Sequence, residues 1–268
     1  MRRVVWSGLG IWIFLLALPG CGDGSSQLPE PLPVSGPLKS PADPLTTAEL
    51  DRFLQIVEGH PQQRAPEFTP PEDDAGIREG ESVTTLVEES RSRYRKFFDP
   101  QRQGEVWARD PQWSRLLHRQ GIAPAEFAAL VARVSCAIAR VRLEGRTDLT
   151  QLSRLAQEEI DQLSIELNHV PRPFPLSENQ NLPSTPDPRA QVAVRTQALV
   201  QLSRDVALLE FAETLLRVPA ESCTLVKRYA PQLRPLLPQG KGDPFAELVE
   251  WQRQRSGAVI HASHDRPR

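Results

Sequence analysis

Proline placement constrains this chain more than any other feature. Its 26 prolines fall at the ends of apolar runs or gather in two clusters. One cluster is Pro29, Pro31, Pro33, Pro37, Pro41 and Pro44; the other is Pro171, Pro173, Pro175, Pro183, Pro186 and Pro188. Proline lacks a backbone donor and clashes with the preceding turn, so it ends helices and is excluded from central strands. Between prolines, apolar residues recur every three to four positions, with no sustained period-two alternation. The pattern predicts an all-α fold, an irregular multi-helix bundle of about six to eight helices.

Thr46 with Glu49 reads as a capping box, and Leu45 with Leu50 as a hydrophobic staple. They open a helix with the stripe Leu50, Phe53, Leu54 and Val57, ending at Gly59 and Pro61. A polar loop over 60–81 leads to a helix near 83–98 and a shorter one near 105–120 carrying Trp107 and Trp113. Pro124 suits the first position of a helix running to Glu144. One face of that helix holds Phe127, Leu130, Val131, Val134, Ile138 and Val141; the other holds Ala129, Ala132, Cys136, Ala139 and Leu143. Arg133 and Arg140 share a narrow polar strip. A helix apolar on two sides belongs at the centre of a bundle, and its small-residue side admits a close neighbour.

Asp148 with Gln151 caps the next helix, whose stripe is Leu149, Leu152, Ala156, Ile160, Leu163 and Leu167. It stops before Pro171. The proline-rich stretch 171–189 is then either a crossing over the bundle or a boundary between subdomains. A long helix near 190–217 carries the stripes Leu199, Leu202, Val206, Leu209 and Leu208, Phe211, Leu215. Pro219 restarts the chain into a helix to about Tyr229, broken by Pro231, Pro235 and Pro238. A short helix near 244–255 precedes a tail, 257–268, expected to be disordered.

The first residues follow a different logic. Arg2 and Arg3 precede an almost wholly apolar run, Leu9 to Leu18, followed by Pro19, Gly20 and Cys21. The run is short for a bilayer crossing, which takes about 20 residues. Charge, apolar run and small residue together make a secretory signal. Leu18-Pro19-Gly20-Cys21 resembles the lipobox of bacterial lipoproteins, with Pro19 where the pattern prefers Ala, Ser, Thr, Val or Ile. The resemblance covers residues 1–21 and carries nothing about the domain. It implies removal of 1–20 as a signal peptide, diacylglycerol on the Cys21 sulfur and acylation of its amine. The alternatives are cleavage without lipid and an uncleaved anchor starting near Val4. Gly22 rather than Asp follows the cysteine, which leans toward an outer membrane in a cell that has two. Residues 21–45 then read as a lipidated cysteine on a flexible proline-rich tether, extended at ~3.1 Å per residue. Residues 46–256 read as the all-α domain.

The formal charge is −2, and losing Arg2 and Arg3 makes the mature chain more acidic. No basic excess favours nucleic acid, which is not expected as a partner. Arginine far outnumbers lysine, which occurs only at Lys39, Lys96, Lys227 and Lys241; this reads as genome composition rather than function.

Cys136 and Cys223 are a candidate disulfide, since exported compartments permit one and both fall on apolar stripes; two buried thiols are the alternative. Glu166-x-x-His169 has the spacing of a di-iron helix pair, with Glu210 and Glu213 as conceivable partners. There is no second such pair, so a solvated helix end is preferred. His261 and His264 sit in the tail without a scaffold to fix them as metal ligands. Glu72-Asp73-Asp74 lacks the alternating oxygens of a calcium loop. Arg91 to Lys96 reads as a solvated face, with anionic lipid or wall polymer as the sharper alternative. Trp107 and Trp113 read as core rather than as sugar platforms. No serine elbow, His-Glu-x-x-His, phosphate loop or dinucleotide fingerprint occurs.

These readings converge on an envelope lipoprotein, anchored through Cys21 and facing the periplasm or exterior. Its helical domain is expected to bind an envelope protein or polymer without catalysis and without a cofactor. One rival is a metal-binding or enzymatic bundle using dispersed Glu166, His169, Glu210 and Glu213. The other is a structural spacer with no ligand.

Overall fold

The computed structural model describes residues 28–71, 82–169, 188–237 and 243–264, with the side chains of 169, 188–191 and 257–264 excepted. Every regular element among the described residues is helical. In chain order they are α1 (Thr47–Glu58), α2 (Val83–Phe97), α3 (Pro100–Ala108), α4 (Pro111–Arg119), α5 (Pro124–Leu143), α6 (Leu149–His169), α7 (Pro188–Arg217), α8 (Ala220–Leu233), a 3-10 turn (Arg234–Leu236) and α9 (Ala246–His264). The all-α expectation is met.

Three boundaries differ from the sequence reading. The single helix near 105–120 is two helices, because Asp99-Pro100 and Asp110-Pro111 each start one. The Asp99 carboxylate accepts the Gln101 N–H, and the Asp110 carboxylate accepts those of Gln112 and Trp113, with proline at the first helical position. α8 runs through Pro231 to Leu233. The lost donor lies in the last turn, and Leu233 and Leu236 are buried, holding the chain in place beyond it. α9 extends to His264, into the tail expected to be disordered. Gly257 alone costs a helix about 1 kcal/mol, and the alanines beside it favour continuation.

The chain divides into two compact units, each drawn from separated stretches. The first comprises 1–69, 98–148 and 214–268; the second comprises 70–97 and 149–213. The division does not fall at 171–189, which joins α6 and α7 within the second unit.

In the first unit α5 is central, packed by α1, α3, α4 and α8. Both of its faces are buried, as its sequence requires, and Phe127 is fully enclosed. Around Phe127 stand Phe53, Trp107 and Trp113, with ring centroids 6.4, 6.0 and 5.6 Å away. α3 reaches α5 through Gly104, where an added Cβ would lie 2.5 Å from the Ala125 nitrogen. The close neighbour therefore meets α5 at its first turn.

The second unit contains α2, α6 and α7 up to Glu213. Its core is Leu86 from α2, Leu152, Ala156 and Ile160 from α6, and Leu199, Leu202, Val206 and Leu209 from α7. The α6 and α7 residues belong to stripes legible in the sequence. The Ser90 and Ser203 hydroxyls pair within it at 2.8 Å.

Candidate functional site

The most elaborate polar arrangement lies where the N-terminal segment meets α1 and α5. Glu49 completes the capping box: its Oε2 accepts the Thr46 N–H and hydroxyl, each at 2.9 Å, and Thr46 Oγ1 accepts the Glu49 N–H at 3.2 Å. The same carboxylate also takes two cations. Lys39 Nζ and Arg133 Nη1 each lie 2.8 Å from Oε1, and Arg133 Nη2 lies 3.1 Å from Oε2. Arg133 further donates from Nε to the Asp43 carbonyl at 3.3 Å and from Nη2 to the Pro44 carbonyl.

Arg133 is only 3% exposed. Its strip of α5 therefore faces the incoming chain instead of solvent. Burial pushes the Glu49 carboxyl upward, but the bonds from Arg133, Lys39 and Thr46 together outweigh it and hold the group well below the usual carboxylate range. The backbone and hydroxyl of Ser40 likewise lower the Asp43 carboxyl, with help from Arg133 and Lys39.

A second attachment lies further toward the N-terminus. Ser35 donates its N–H to Glu126 Oε1 at 2.7 Å and its hydroxyl to the same oxygen. The other oxygen of Glu126 accepts the Ala123 N–H at the start of α5. Burial raises the Glu126 carboxyl, and the Ser35 and Ala123 bonds more than reverse that. On the other side, the Leu45 N–H reaches Ser222 Oγ of α8 at 2.9 Å. Thus the stretch read as the outer part of a free tether is fastened to the first unit from Ser35 onward. Residues 28–44 have no helix of their own and act as a strap. Composition correctly signalled that they cannot build a core; it could not signal the surface that receives them.

The remaining candidates are distributed as follows. Cys21 lies outside the described residues, as do Glu72, Asp73, Asp74 and the connector 171–187. Cys136 and Cys223 are unbonded thiols on two helices that pack together. Burial pushes the Cys136 thiol up to about 12 and raises that of Cys223. Glu166 is exposed, and its Oε1 accepts from Gln162 at 2.9 Å. His169 ends α6, and its side chain lies outside the described residues, as do those of His261 and His264 in α9. Glu210 faces Arg91 and Arg95 at 3.3 and 4.0 Å; its carboxylate is matched to guanidinium groups, and the Arg91 run is partly tied to its own unit. Among the described residues no three His, Cys, Asp or Glu side chains stand together as a metal site. Among the same residues no single helix is long and apolar enough to cross a membrane.

Two features escaped sequence reasoning. Trp107 and Trp113 are buried as expected, but Trp113 also carries His60, stacked at 4.1 Å with planes 9° apart. His60 Nδ1 accepts the Gln62 N–H at 3.3 Å, and burial lowers its pKa against the pull of Asp110. The loop beyond it is held by Gln103, fully buried, whose amide accepts the Thr69 N–H at 3.0 Å and donates to the Thr69 carbonyl at 2.8 Å. A glutamine within a short helix gives no local sign of that task.

No family model, no curated protein and no solved structure matches this chain.

Proposed function

We propose that the protein is a lipid-anchored envelope protein, processed before Cys21, whose helical domain acts by contact with an envelope protein or polymer and not by catalysis. The observation that supports this reading is the strap. The segment leading from Cys21 is bolted to the first unit through Ser35, Asp43, Pro44 and Leu45, so a membrane hold on Cys21 becomes a hold on the domain. Each buried CH₂ of lipid contributes ~0.8 kcal/mol, and stable anchoring takes more than one chain. A cysteine acylated on sulfur and amine meets that requirement. Localisation then raises the effective concentration of the domain near partners on the same membrane.

The test is intact-mass spectrometry of full-length protein from the membrane fraction of a bacterial host. The expected result is a chain beginning at Cys21 with the added mass of acyl groups, moved to the soluble fraction by Cys21→Ser. A chain beginning elsewhere without lipid would overturn the anchor. A stoichiometric metal in the native protein, lost in His169→Ala, would replace the binding role with a metal-dependent one.

A further inference from the structure

We infer that the strap is a two-stage leash, with an outer hold at Ser35 that opens independently of an inner hold at Pro44 and Leu45. The inference rests on the anchor reading for its purpose, though not for its geometry. The two holds differ in kind. The outer hold is one half-buried carboxylate, Glu126, accepting two donors from the exposed Ser35. No side chain from 28 to 44 is buried, and Leu28 and Val34 are 42% and 38% exposed. Between the holds, Lys39 pairs with Glu49 while its own side chain stays 53% exposed, and a cation so open to water contributes little. The inner hold is the buried Arg133 guanidinium on the Asp43 and Pro44 carbonyls, together with buried Leu45 and its amide bond to Ser222.

A segment with few buried apolar contacts and solvent-facing bonds opens before the body it lies on. Docked, the leash is the chain from Cys21 to Ser35, at most about 50 Å long; released to Pro44 it reaches at most about 80 Å. The domain would thus have a near and a far working radius, and a partner beyond the first would be met by peeling the strap.

Trypsin gives the test, because Lys39 is the only basic residue between Leu28 and Arg52. Cleavage after Lys39 requires the strap to leave the surface, and proteolysis follows that opening. In full-length protein, Ser35→Pro removes both donors and leaves the Glu126 bond to Ala123 intact; Glu126→Ala removes the acceptor. Both are expected to speed cleavage after Lys39 about tenfold or more, and Ser35→Pro, which leaves the start of α5 intact, to do so with unchanged cleavage inside α1 and α5 and unchanged hydrogen exchange at the Leu45 amide. An unchanged rate after Lys39 in Ser35→Pro would overturn the outer hold. In Ser35→Pro, faster exchange at Leu45 or faster cutting within the helices would show one cooperative unit and overturn the two stages. The intact mass of the same sample reports acylation separately. A two-stage strap on an unacylated chain would sink the anchor alone, and a one-stage strap on an acylated chain would sink the leash alone.

Discussion

Arginine finishes chain ends in this protein. Arg52 donates to the carbonyls of Gln120 and Gly121 beyond α4, Arg195 to that of Leu167 near the end of α6, and Arg140 to those of Leu215, Leu216 and Val218 at the end of α7. Arg133 does the same for the strap. The last carbonyls of a helix lack partners, and a planar fork with several donors serves two or three at once where an ammonium serves a point. Arg52, Arg133, Arg140 and Arg195 thus each have a use that rests on the shape of the guanidinium. Arg133→Ala is expected to cost about 3 kcal/mol in urea unfolding, because Glu49 and two carbonyls lose a buried donor. Arg133→Lys, keeping charge without the fork, is expected to recover only part of it.

The titrating groups give a two-step acid profile. The depressed pKa of His60 means that the unfolded chain takes up a proton near 6.5 where the folded one resists. Stability therefore begins to fall as pH drops below that value. His60→Phe, which keeps a ring on Trp113, should extend the plateau to lower pH. Glu49, Glu126 and Asp43 are depressed carboxylates, so their contribution is present above the ordinary carboxylate range and is lost as pH falls from that range through their lower folded-state values. Glu49→Gln should shrink that second decline; an unaltered acid limb would show that the clasp does not govern it.

At the scale of elements, α3 and α5 depend on a missing side chain. A Cβ on Gly104 would meet the backbone of Pro124 and Ala125 at 2.5 to 2.8 Å, and backbone cannot rotate away as a side chain can. Gly104→Ala should cost about 1–3 kcal/mol through overpacking, despite a gain in helix propensity of about 1 kcal/mol. Thermal unfolding followed by circular dichroism would read it, and a stabilised variant would mean that the two helices lie farther apart. The sequence held no sign of this contact, because Gly104 and Ala125 meet through backbone and not through an apolar stripe. The stripes themselves were legible, since Leu50, Phe53, Leu54 and Val57, or Leu199, Leu202, Val206 and Leu209, repeat at the helical period within a dozen residues. The split at Asp110-Pro111 was also legible in local capping chemistry, though the apolar pattern runs across it. Arg133 was not. Its partners stand 84 to 90 residues away, and nothing in the neighbourhood of a buried arginine separates it from an exposed one such as Arg154 on α6. The capping box identified Glu49 by its local task and hid its distant one.

At the scale of the molecule, the two units predict two levels of opening. Native-state hydrogen exchange should group α2, α6 and the body of α7 at one free energy and α1, α3, α5 and α8 at another, as cooperative subunits of a chain do. One common value for all would mean a single cooperative body. The interleaving of the units also bears on how the protein is made. The second unit has all its residues once Glu213 has been synthesised, whereas the first must wait for Thr214 onward, including the Ser222 that secures Leu45. Among the described helices, α1 therefore waits for one of its two packing neighbours, α8, until after α7 has been made. A ribosome stalled after α7 would leave α1 and α5 without α8, the faces that α8 covers open to chaperones, however well the younger helices had already closed.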